Sequence, residues 1–404
     1  MKTPLLLLLA LTATLRAAPP EPKFRAVTID DKIQIGYGVA VADVDGDKLP
    51  DILLADKKQF VWYRNPGAEK SGDPAAWSKF VIAENLTEHD NVCLAAQDID
   101  GDGKCEIAVG AEWNPGDTVN SGAVFYLIPP EDRTQKWEPV KFPNVEPTTH
   151  RMKWIKLGER EWGLVVAPLH GRGNKNGEGV PVRVLLYRKP TDVRGEWKTE
   201  VVDESMHMTH NFDVLKSRST PQGDTLMLAG KEGFGFFSVM NGKWDDIFGN
   251  RIKNSTAKGF DGAGEIRRGT NLGGRGQFYA TIEPMHGNQL VFYLDVTDDL
   301  VRRVLTDQLT DGHALACGDL LGLGSDQIVV GWRAMGKPEA KVGVHLWTAL
   351  DAEGKDWRDS AVDDGGMACE DLVLADLNGD GKLDVVASGR ATHNVKVYFN
   401  ETPR

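Results

Sequence analysis

Cysteine, basic charge and long apolar runs are all scarce in this sequence of 404 residues. Its 4 Cys residues are too few for a disulfide scaffold in a chain of this size. The 47 Lys and Arg residues are outnumbered by 59 Asp and Glu residues, which gives a formal net charge of -12. This acidic balance argues against binding to nucleic acid or to an anionic membrane, because both require a basic surface. After the first eighteen residues, no apolar run approaches the ~20 residues that a membrane-spanning helix needs, so we expect no membrane insertion.

The first eighteen residues have the pattern of a secretory signal peptide. Lys2 precedes an apolar run from Leu5 to Leu11, and the small residues Ala17 and Ala18 provide a cleavage site. We therefore expect residues 1–18 to be removed on export. Residues 19–404 show no linker or change of composition, so they are predicted to form a single domain in a secreted or periplasmic protein.

A unit of two apolar runs joined by a tight turn recurs along the chain, and each copy is typical of a β-hairpin. Copies with an acidic, Gly-rich turn begin at Gly38, Cys93 and Leu372. Weaker copies begin at Met152, Phe212, Glu265 and Ala314. A second marker, a short β-rich stretch opened by a Trp or lying near basic residues, falls between the hairpins. These stretches begin at Phe24, Trp77, Trp137, Trp197, Trp244, Val301 and Trp357.

Another strand-like run lies between each hairpin and the following marker, so each unit of roughly 50 to 60 residues holds four short strands. The sequence therefore predicts an all-β protein with the fold of a seven-bladed β-propeller. The last unit has only three strands, whereas the marker from Phe24 to Ile29 has no hairpin before it. We expect this N-terminal stretch to close the ring as the outer strand of blade 7, which protects an exposed sheet edge.

Three of the turns carry four oxygen-bearing side chains each. They are Asp43, Asp45, Asp47 and Asp51 in blade 1, Asp98, Asp100, Asp102 and Glu106 in blade 2, and Asp376, Asn378, Asp380 and Asp384 in blade 7. Such a turn repels itself unless a cation neutralises it, and hard oxygen ligands suit Ca2+. We predict structural calcium, although the same residues also form ordinary solvated turns without metal. The pattern resembles the loops of FG-GAP and VCBS repeats, as in integrin-type propellers.

The face opposite these turns should bring together the starts of the inner strands and the ends of the second strands. Seven of the 9 His residues map to this rim: His89, His150, His170, His210, His286, His313 and His393. Convergent His, Glu and Arg side chains are typical of acid/base or metal-assisted catalysis. The predicted catalytic residues are His89, His150, His210, Glu283, His286 and His313. The predicted substrate-binding residues are Tyr37, His170, Arg172, Lys231, Trp332, Arg333 and Arg390.

Four segments near this rim resemble the propeller domain of aldos-2-ulose dehydratase. They are THRMKW from Thr149, APLHGRG from Ala167, HMTHNF from His207 and EPMHGNQ from Glu283. That family eliminates water from keto sugars such as 1,5-anhydrofructose in a metal-bearing propeller pocket, and the resemblance implies the same chemistry here.

Elimination next to a carbonyl needs a base, an acid for the departing hydroxyl and a cation for the enolate. In this hypothesis His150 and His210 bind Zn2+ or another divalent metal, or polarise the carbonyl. His286 or Glu283 acts as the base, and His313 or His89 as the acid. Arg333 and Arg390 hold sugar hydroxyls.

Two other functions stay open on the sequence alone. A calcium-stabilised propeller without catalysis could bind carbohydrate or protein, as in adhesion, but it would have no reason to collect His residues on one rim. A polysaccharide lyase that acts on uronate polymers would need a long basic groove, which an acidic chain does not readily supply. We therefore favour a carbon-oxygen lyase of the dehydratase type, which acts on a small sugar or oligosaccharide carrying a keto group.

Overall fold

The structure is a computed structural model, and it describes residues 18–143, 145–217, 223–240, 243–247, 262–274, 276–296 and 299–403. The predicted signal peptide lies outside the described residues except for Ala18. The regular secondary structure of the described residues is β-strand, apart from two short 3-10 helices at Pro74–Ala76 and Leu272–Gly274. None of the helices in these ranges is long and apolar enough to cross a membrane.

The strands form seven four-stranded antiparallel sheets, which are the blades. Strand β1 (Phe24–Asp30) precedes blade 1, which contains β2 (Gly38–Ala42), β3 (Asp51–Ala55), β4 (Gln59–Arg64) and β5 (Ser78–Glu84). Blade 2 contains β6 (Cys93–Gln97), β7 (Glu106–Ala111), β8 (Ala123–Ile128) and β9 (Glu138–Lys141). Blade 3 contains β10 (Thr149–Lys156), β11 (Trp162–Pro168), β12 (Val184–Arg188) and β13 (Lys198–Asp203). Blade 4 contains β14 (Thr209–Leu215), β15 (Thr225–Gly230), β16 (Gly233–Met240) and β17 (Lys243–Asp246).

The remaining blades follow the same order. Blade 5 contains β18 (Glu265–Thr270), β19 (Gln277–Glu283), β20 (Gln289–Val296) and β21 (Asp299–Thr306). Blade 6 contains β22 (Gly312–Gly318), β23 (Gln327–Trp332), β24 (Gly343–Ala349) and β25 (Trp357–Asp364). Blade 7 contains β26 (Cys369–Ala375), β27 (Asp384–Gly389) and β28 (Asn394–Asn400), with β1 as its fourth strand. The seven-bladed propeller predicted from the repeats is confirmed.

Strand β1 closes the ring, as the sequence predicts. It pairs antiparallel with β28 from Phe24 opposite Asn400 to Val27 opposite Val397. Val27 and Ile29 are buried in a cluster that also contains Ile52 of blade 1. The N-terminal strand therefore covers the edge of β28 and packs against the first blade, which joins the two ends of the ring.

The hydrophobic core is divided into layers between neighbouring blades. Every residue of the second strands β3, β7, β23 and β27 is buried, because each of these strands has a blade on either side. The layer between blades 1 and 2, for example, joins Trp62 to Ile107. Similar clusters lie between each pair of neighbours around the ring. This packing explains the nearly continuous apolar runs of the second strands.

The recurring Trp residues of the outer strands have a common structural role. The indole N–H of Trp77, Trp137 and Trp197 donates to the carbonyl oxygens of Ser71, Arg133 and Val193, at 3.0, 3.1 and 2.9 Å. All three rings are buried. Each Trp therefore fills the interblade layer and satisfies its polar atom in the loop just before its own strand. The marker seen in the sequence is thus a packing device that anchors the outer strand.

Candidate functional site

Four His side chains meet at one end of the central channel, on the face opposite the acidic turns. The ring centroids of His150 and His210 are 4.7 Å apart, and those of His210 and His286 are 4.4 Å apart. His313 completes the group, with its centroid 5.0 Å from that of His210 and 4.9 Å from that of His286. Blades 3, 4, 5 and 6 each contribute one member of this His cluster. The structure therefore brings together four of the six residues predicted to be catalytic.

Three members of the His cluster are fixed in the same way. The Nδ1–H of His150 donates to the carbonyl oxygen of His210 at 2.8 Å. His210 Nδ1 donates to Gly264 O at 2.8 Å, and His313 Nδ1 to Glu370 O at 2.5 Å. In each case the acceptor belongs to the next blade or to the segment that leads into it. Because Nδ1 carries the proton, Nε2 of each ring keeps its lone pair, which is the arrangement that favours metal ligation.

His286 faces this group from a loop rather than from a strand. Its Nε2 lies 2.6 Å from Nε2 of His210, a separation at which two lone pairs would repel unless a proton or a cation lay between them. Its Nδ1 lies 3.9 Å from Oδ1 of Asp311. Both His286 and Asp311 have positive φ, 52° and 58°, a backbone conformation that is uncommon for residues with a side chain.

Metal-ligating atoms of His210, His286 and His313 all lie within 4.8 Å of one another. His150 lies beside this triad, with its Nε2 accepting from Nη1 of Arg151 at 3.2 Å. The sequence hypothesis assigned the divalent metal to His150 and His210. The geometry groups His210 with His286 and His313 instead, because the Nε2 atom of His150 faces a guanidinium.

Burial keeps the His cluster neutral. It lowers the pKa of His150, His210 and His313 well below the ordinary value, and the positive charge of Arg151 lowers all three further. The pKa of His286 falls to about 2, mainly through burial and then through its neighbour His210. Neutral imidazole is the form that binds a metal ion, so the cluster is ready for ligation without first losing protons.

A β-bulge re-aims the key side chain on each of four inner strands. The pairing register shifts around His150 in β10, around His210 in β14, around His313 in β22 and around Glu370 in β26. The inner strands β2, β6 and β18 pair without such a shift. Bulges often occur next to active sites, where they turn a side chain away from the regular alternation. The bulges therefore occur in the four inner strands whose side chains His150, His210, His313 and Glu370 lie at this end of the channel.

Two further His residues of the predicted rim, His89 and His170, are not among the four rings of the His cluster. The Trp113 ring stacks on His150 with centroids 5.0 Å apart, and the adjacent Glu112 bonds His89 Nδ1 at 2.5 Å. The hydrogen bond with Glu112 is the main reason why the pKa of His89 is raised.

The backbone N–H of His170 donates to Oγ1 of Thr148, two residues before His150, at 2.9 Å. Burial lowers the pKa of His170, whose Nδ1 atom is buried and has no hydrogen-bond partner. His89 and His170, which lie on blades 2 and 3, are therefore pushed toward opposite protonation states.

Glu283 is held in a structural ion pair and does not join the His cluster. Its carboxylate accepts from Nε and Nη2 of Arg302 at 2.9 and 2.7 Å, from the Tyr293 hydroxyl at 2.6 Å and from Thr281 Oγ1 at 2.7 Å. The residue is only 2% exposed. Four hydrogen bonds leave this carboxylate poorly suited to accept a proton from a substrate.

Several predicted substrate-binding residues form a charged network beside the cluster. Arg333 Nε donates to Asp311 at 2.8 Å, and Arg333 Nη1 donates to both carboxylate oxygens of Glu370 at 2.8 and 2.7 Å. Arg390 also bonds Glu370, at 3.2 Å, and its guanidinium lies 5.2 Å from the ring centroid of Tyr37. Two carboxylates thus neutralise both guanidinium groups while keeping them at the channel.

The other predicted substrate-binding residues have structural contacts. Arg172 donates to the carbonyl oxygens of Val119 and Val145, at 2.7 and 3.1 Å. Lys231 donates to Gly177 O at 3.1 Å in the Gly-rich loop. Trp332 is 8% exposed and belongs to the core layer between blades 5 and 6. None of these three contacts places the residue in the His cluster.

The acidic turns share one local structure. In the first position, Asp43, Asp98 and Asp376 each accept the backbone N–H groups of the residues three and five positions on, at distances from 2.7 to 3.0 Å. Ligand atoms of Asp43, Asp45 and Asp51 lie within 4.8 Å of one another, as do those of Asp98, Asp100 and Glu106. Asn378 takes the place of the second carboxylate in blade 7.

The remaining acidic side chains of the turns differ in environment. Asp47, Asp102 and Asp380 each accept the backbone N–H of the residue two positions on. Burial raises the pKa of Asp51 and of Glu106 to about 7, and that of Asp384 to about 6. A divalent cation among these oxygens would favour the ionised carboxylates, so the donor set fits Ca2+.

Sequence reasoning gave no role to three residues that shape the site. Asp311 and Glu370 hold the two guanidinium groups, and Arg151 lies against His150. Glu370 could be placed at the rim by counting back from its turn, but its partner Arg333 is 37 residues away in the chain. Arg151 follows His150 directly, yet its contact with that ring depends on the bulge in β10.

Comparison with known proteins agrees with this architecture. Residues 121–296 match the family model for the β-propeller domain of aldos-2-ulose dehydratase, and residues 35–109 match an FG-GAP-like repeat. No curated protein sequence matches the chain.

Several solved structures share the fold. A chain in the crystal structure of BBS1N in complex with ARL6DN has a TM-score of 0.54 and 13% identity, covering 96% of this chain and 98% of that one. A chain of the Mitotic Checkpoint Complex has a TM-score of 0.53 and 12% identity, with coverages of 97% and 98%. The extracellular domain of the one-component system BT4673 from B. thetaiotaomicron has a TM-score of 0.51 and 9% identity, with coverages of 93% and 39%.

At these identities the solved structures support the fold alone. The family matches support more than the fold, because they cover the segments in which the sequence pattern resembled the same two families. The chain is a seven-bladed β-propeller that is similar to FG-GAP-like repeats in its first two blades and to the propeller domain of aldos-2-ulose dehydratase over residues 121–296.

Proposed function

We propose that the chain is a carbon-oxygen lyase of the dehydratase type, which removes water from a keto sugar or keto-glycoside by β-elimination at the His cluster. One observation carries this proposal: imidazoles from different blades converge, and backbone carbonyls orient three of them through Nδ1. Interblade packing alone gives no reason to bury three neutral imidazoles and to bring the ligand atoms of His210 and His313 within 4.8 Å of that of His286. The match of residues 121–296 to a sugar dehydratase propeller supports the substrate class.

A divalent cation such as Zn2+ would be held by His210, His286 and His313. Three His ligands with an open position are typical of catalytic zinc, and outer partners usually fix the ring nitrogen that does not bind the metal. Gly264 O and Glu370 O play this part for His210 and His313, and Asp311 lies nearest to Nδ1 of His286. The bound cation would polarise the substrate carbonyl and so acidify the adjacent carbon.

We assign the proton transfers to His89 and His170, whose pKa values move in opposite directions. His89, whose pKa is raised by Glu112, is suited to protonate the departing hydroxyl. His170, whose pKa is lowered by burial, is neutral and suited to take the proton from carbon. Opposite shifts of two neighbouring groups are a general guide to the acid and the base of a site. Glu283 is omitted, because Arg302 and two hydroxyls occupy its carboxylate.

The rim guanidinium groups favour a neutral sugar over a uronate polymer. Arg333 and Arg390 are paired with Asp311 and Glu370, so they offer hydrogen bonds without a net positive field. A uronate lyase would need unpaired cations to neutralise its substrate. Sugar hydroxyls need only donors and acceptors, which this network supplies.

Calcium is proposed as a structural cofactor of the acidic turns, and export as the fate of the chain. The shared turn structure of blades 1, 2 and 7 supports the first of these. The pattern of the first eighteen residues supports the second.

The test is a comparison of His210→Ala with His393→Ala in the chain from residue 19. His393 is a matched control because its Nδ1 also bonds a backbone carbonyl, Gln34 O at 2.8 Å, but it is exposed and lies outside the cluster. Bound metal is measured by elemental analysis after treatment with a weak chelator. Turnover of 1,5-anhydrofructose is followed by the ultraviolet absorption of the conjugated product.

We expect wild type and His393→Ala to hold about one transition metal per chain and to turn over the keto sugar. His210→Ala should lose both properties and still give the far-ultraviolet circular dichroism of the folded propeller. Equal metal content and equal turnover in all three proteins would overturn the proposal. Calcium alone, with no turnover of any keto sugar, would favour a propeller that binds its ligand without catalysis.

A further inference from the structure

The channel below the His cluster contains a cavity of about 400 Å3, a volume in the range of small-molecule sites. Inner strands from all seven blades line it, and it extends toward the face of the acidic turns, where the exposed Lys216 lies at the end of β14. The His cluster does not line the cavity. It forms a layer at the opposite end of the channel, so the cavity is a compartment separate from the proposed reaction site.

The cavity lining carries more positive than negative charge, which is unexpected in a chain of net charge -12. Its cationic residues are Arg151, Lys153, Lys216, Arg267 and Arg268, and its carboxylates are Asp213, Asp224 and Asp371. A concave site with low-dielectric walls strengthens such an excess and raises the local concentration of anions.

Most of the buried charge in this region is compensated within the protein. Lys153 pairs with Asp213 at 2.7 Å, and Arg267 pairs with Glu265 at 3.1 Å. Asp371 accepts two backbone N–H groups, from Val39 and Leu372, both at 3.0 Å. These groups therefore need no further partner.

Arg151 is the exception. It is 8% exposed, and its Nη1 atom donates only to the carbonyl oxygen and to Nε2 of the preceding His150, at 3.1 and 3.2 Å. Its Nε atom is buried and has no hydrogen-bond partner. Among the described residues, no carboxylate lies within ion-pair distance of this guanidinium. The buried carboxylates Asp371 and Glu265 are near enough to attract Arg151 electrostatically, but neither forms a hydrogen bond with it. A buried guanidinium with an unpaired N–H is unfavourable, and its fork matches an oxyanion such as a carboxylate or a phosphate.

We propose that the central cavity is a binding site for a small oxyanion, whose negative oxygens pair with Arg151 and whose route of entry passes Lys216. The ligand class is a carboxylate-bearing or phosphate-bearing small molecule. The His residues do not line this cavity, which adjoins the His cluster only where Arg151 bonds His150. Anion binding in the cavity does not require that the His cluster be a dehydratase site.

The proposal is tested by isothermal titration calorimetry at low ionic strength on the chain from residue 19. The probes are D-glucuronate, inorganic phosphate and neutral D-glucose. We expect at least one anion to bind, with an affinity that falls as salt is added, and glucose to give no heat. Comparison of the two anions tells whether carboxylate or phosphate is the preferred source of the oxyanion.

Three variants locate the binding. Arg151→Gln should weaken anion binding by about tenfold or more, because it removes the buried charge partner, and Arg151→Lys should weaken it less. Lys216→Gln should weaken it by a smaller factor. Lys355→Gln is the matched control, since this exposed Lys lies in the turn between β24 and β25 of blade 6, outside the cavity lining. It makes the same change of charge and should leave the affinity as in wild type.

The affinity of an anion bound at the His face would not change in Lys216→Gln. The comparison of Lys216→Gln with Lys355→Gln therefore locates the site even if Arg151→Gln fails to fold. No anion binding to wild type would overturn the proposal. So would equal affinities in the Lys216→Gln and Lys355→Gln proteins, or glucose binding as tightly as glucuronate.

Discussion

Glu283 gives the sharpest test of the structure, because the sequence suggested a catalytic base and the structure shows a buried ion pair. In Glu283→Gln one oxygen acceptor remains, but the new amide N–H2 faces the guanidinium of Arg302. Removal of one partner from a buried pair costs about 3–5 kcal/mol. Arg302 keeps 14% of its side chain exposed and donates to Gln289 at 2.7 Å. We therefore expect the lower end of this range, a loss of about 3 kcal/mol in the free energy of unfolding.

The measurement is urea unfolding followed by Trp fluorescence. Glu138→Gln is a matched control, since Glu138 and its partner Arg194 are both more than half exposed. An exposed pair contributes about 1 kcal/mol or less, so this variant should unfold close to wild type. Combining Glu283→Gln with Arg302→Met should cost less than the sum of the single changes, because the second change removes the unpaired charge left by the first.

The result that refutes the reasoning is a Glu283→Gln protein within about 1 kcal/mol of wild type that has lost turnover. That outcome would return the role of base to Glu283. Loss of stability with turnover retained at a temperature where the variant is folded would confirm the structural role.

Three further predictions follow. Calcium at about 100 times its Kd should raise the free energy of unfolding by about 2.7 kcal/mol for each occupied turn, measured by urea titrations with calcium and with EDTA. Asp98→Asn should remove the contribution of its own turn, and Asp319→Asn, in the blade 6 turn, should leave the gain unchanged. No gain in wild type would contradict calcium binding. In an NMR titration the pKa of His89 should lie above its ordinary value, because the Glu112 carboxylate stabilises the charged ring. In Glu112→Gln the pKa should return toward the ordinary value, and an unchanged pKa would contradict the pairing. A chain that begins at residue 31 lacks β1 and should aggregate in size-exclusion chromatography, whereas a chain from residue 19 should elute as a folded species; a soluble, folded shorter chain would contradict closure by β1.

Much of the fold could be predicted from the sequence because its signals are local and repeated. Paired apolar runs, acidic turns and the Trp that opens an outer strand all act within one blade, and the number of repeats gives the number of blades. The missing fourth strand at the end and the unpaired strand at Phe24 predicted the closure that the pairing of β1 with β28 confirms. Counting from the turns likewise placed His150, His210 and His313 at one end of the channel.

The tertiary structure decided which of the rim residues act together. The bulges that aim His150, His210 and His313 arise from pairing offsets between strands, which residue types do not encode. The partners of the rim charges lie far away in the sequence, so the local pattern could not show them. It could not show that Arg302 pairs with Glu283, or that Arg151 has no carboxylate within ion-pair distance among the described residues. The sequence by itself determined the ring and the residues that border its channel. Three-dimensional packing determined their charges, tautomers and partners, because those depend on atoms brought together only when the ring closes.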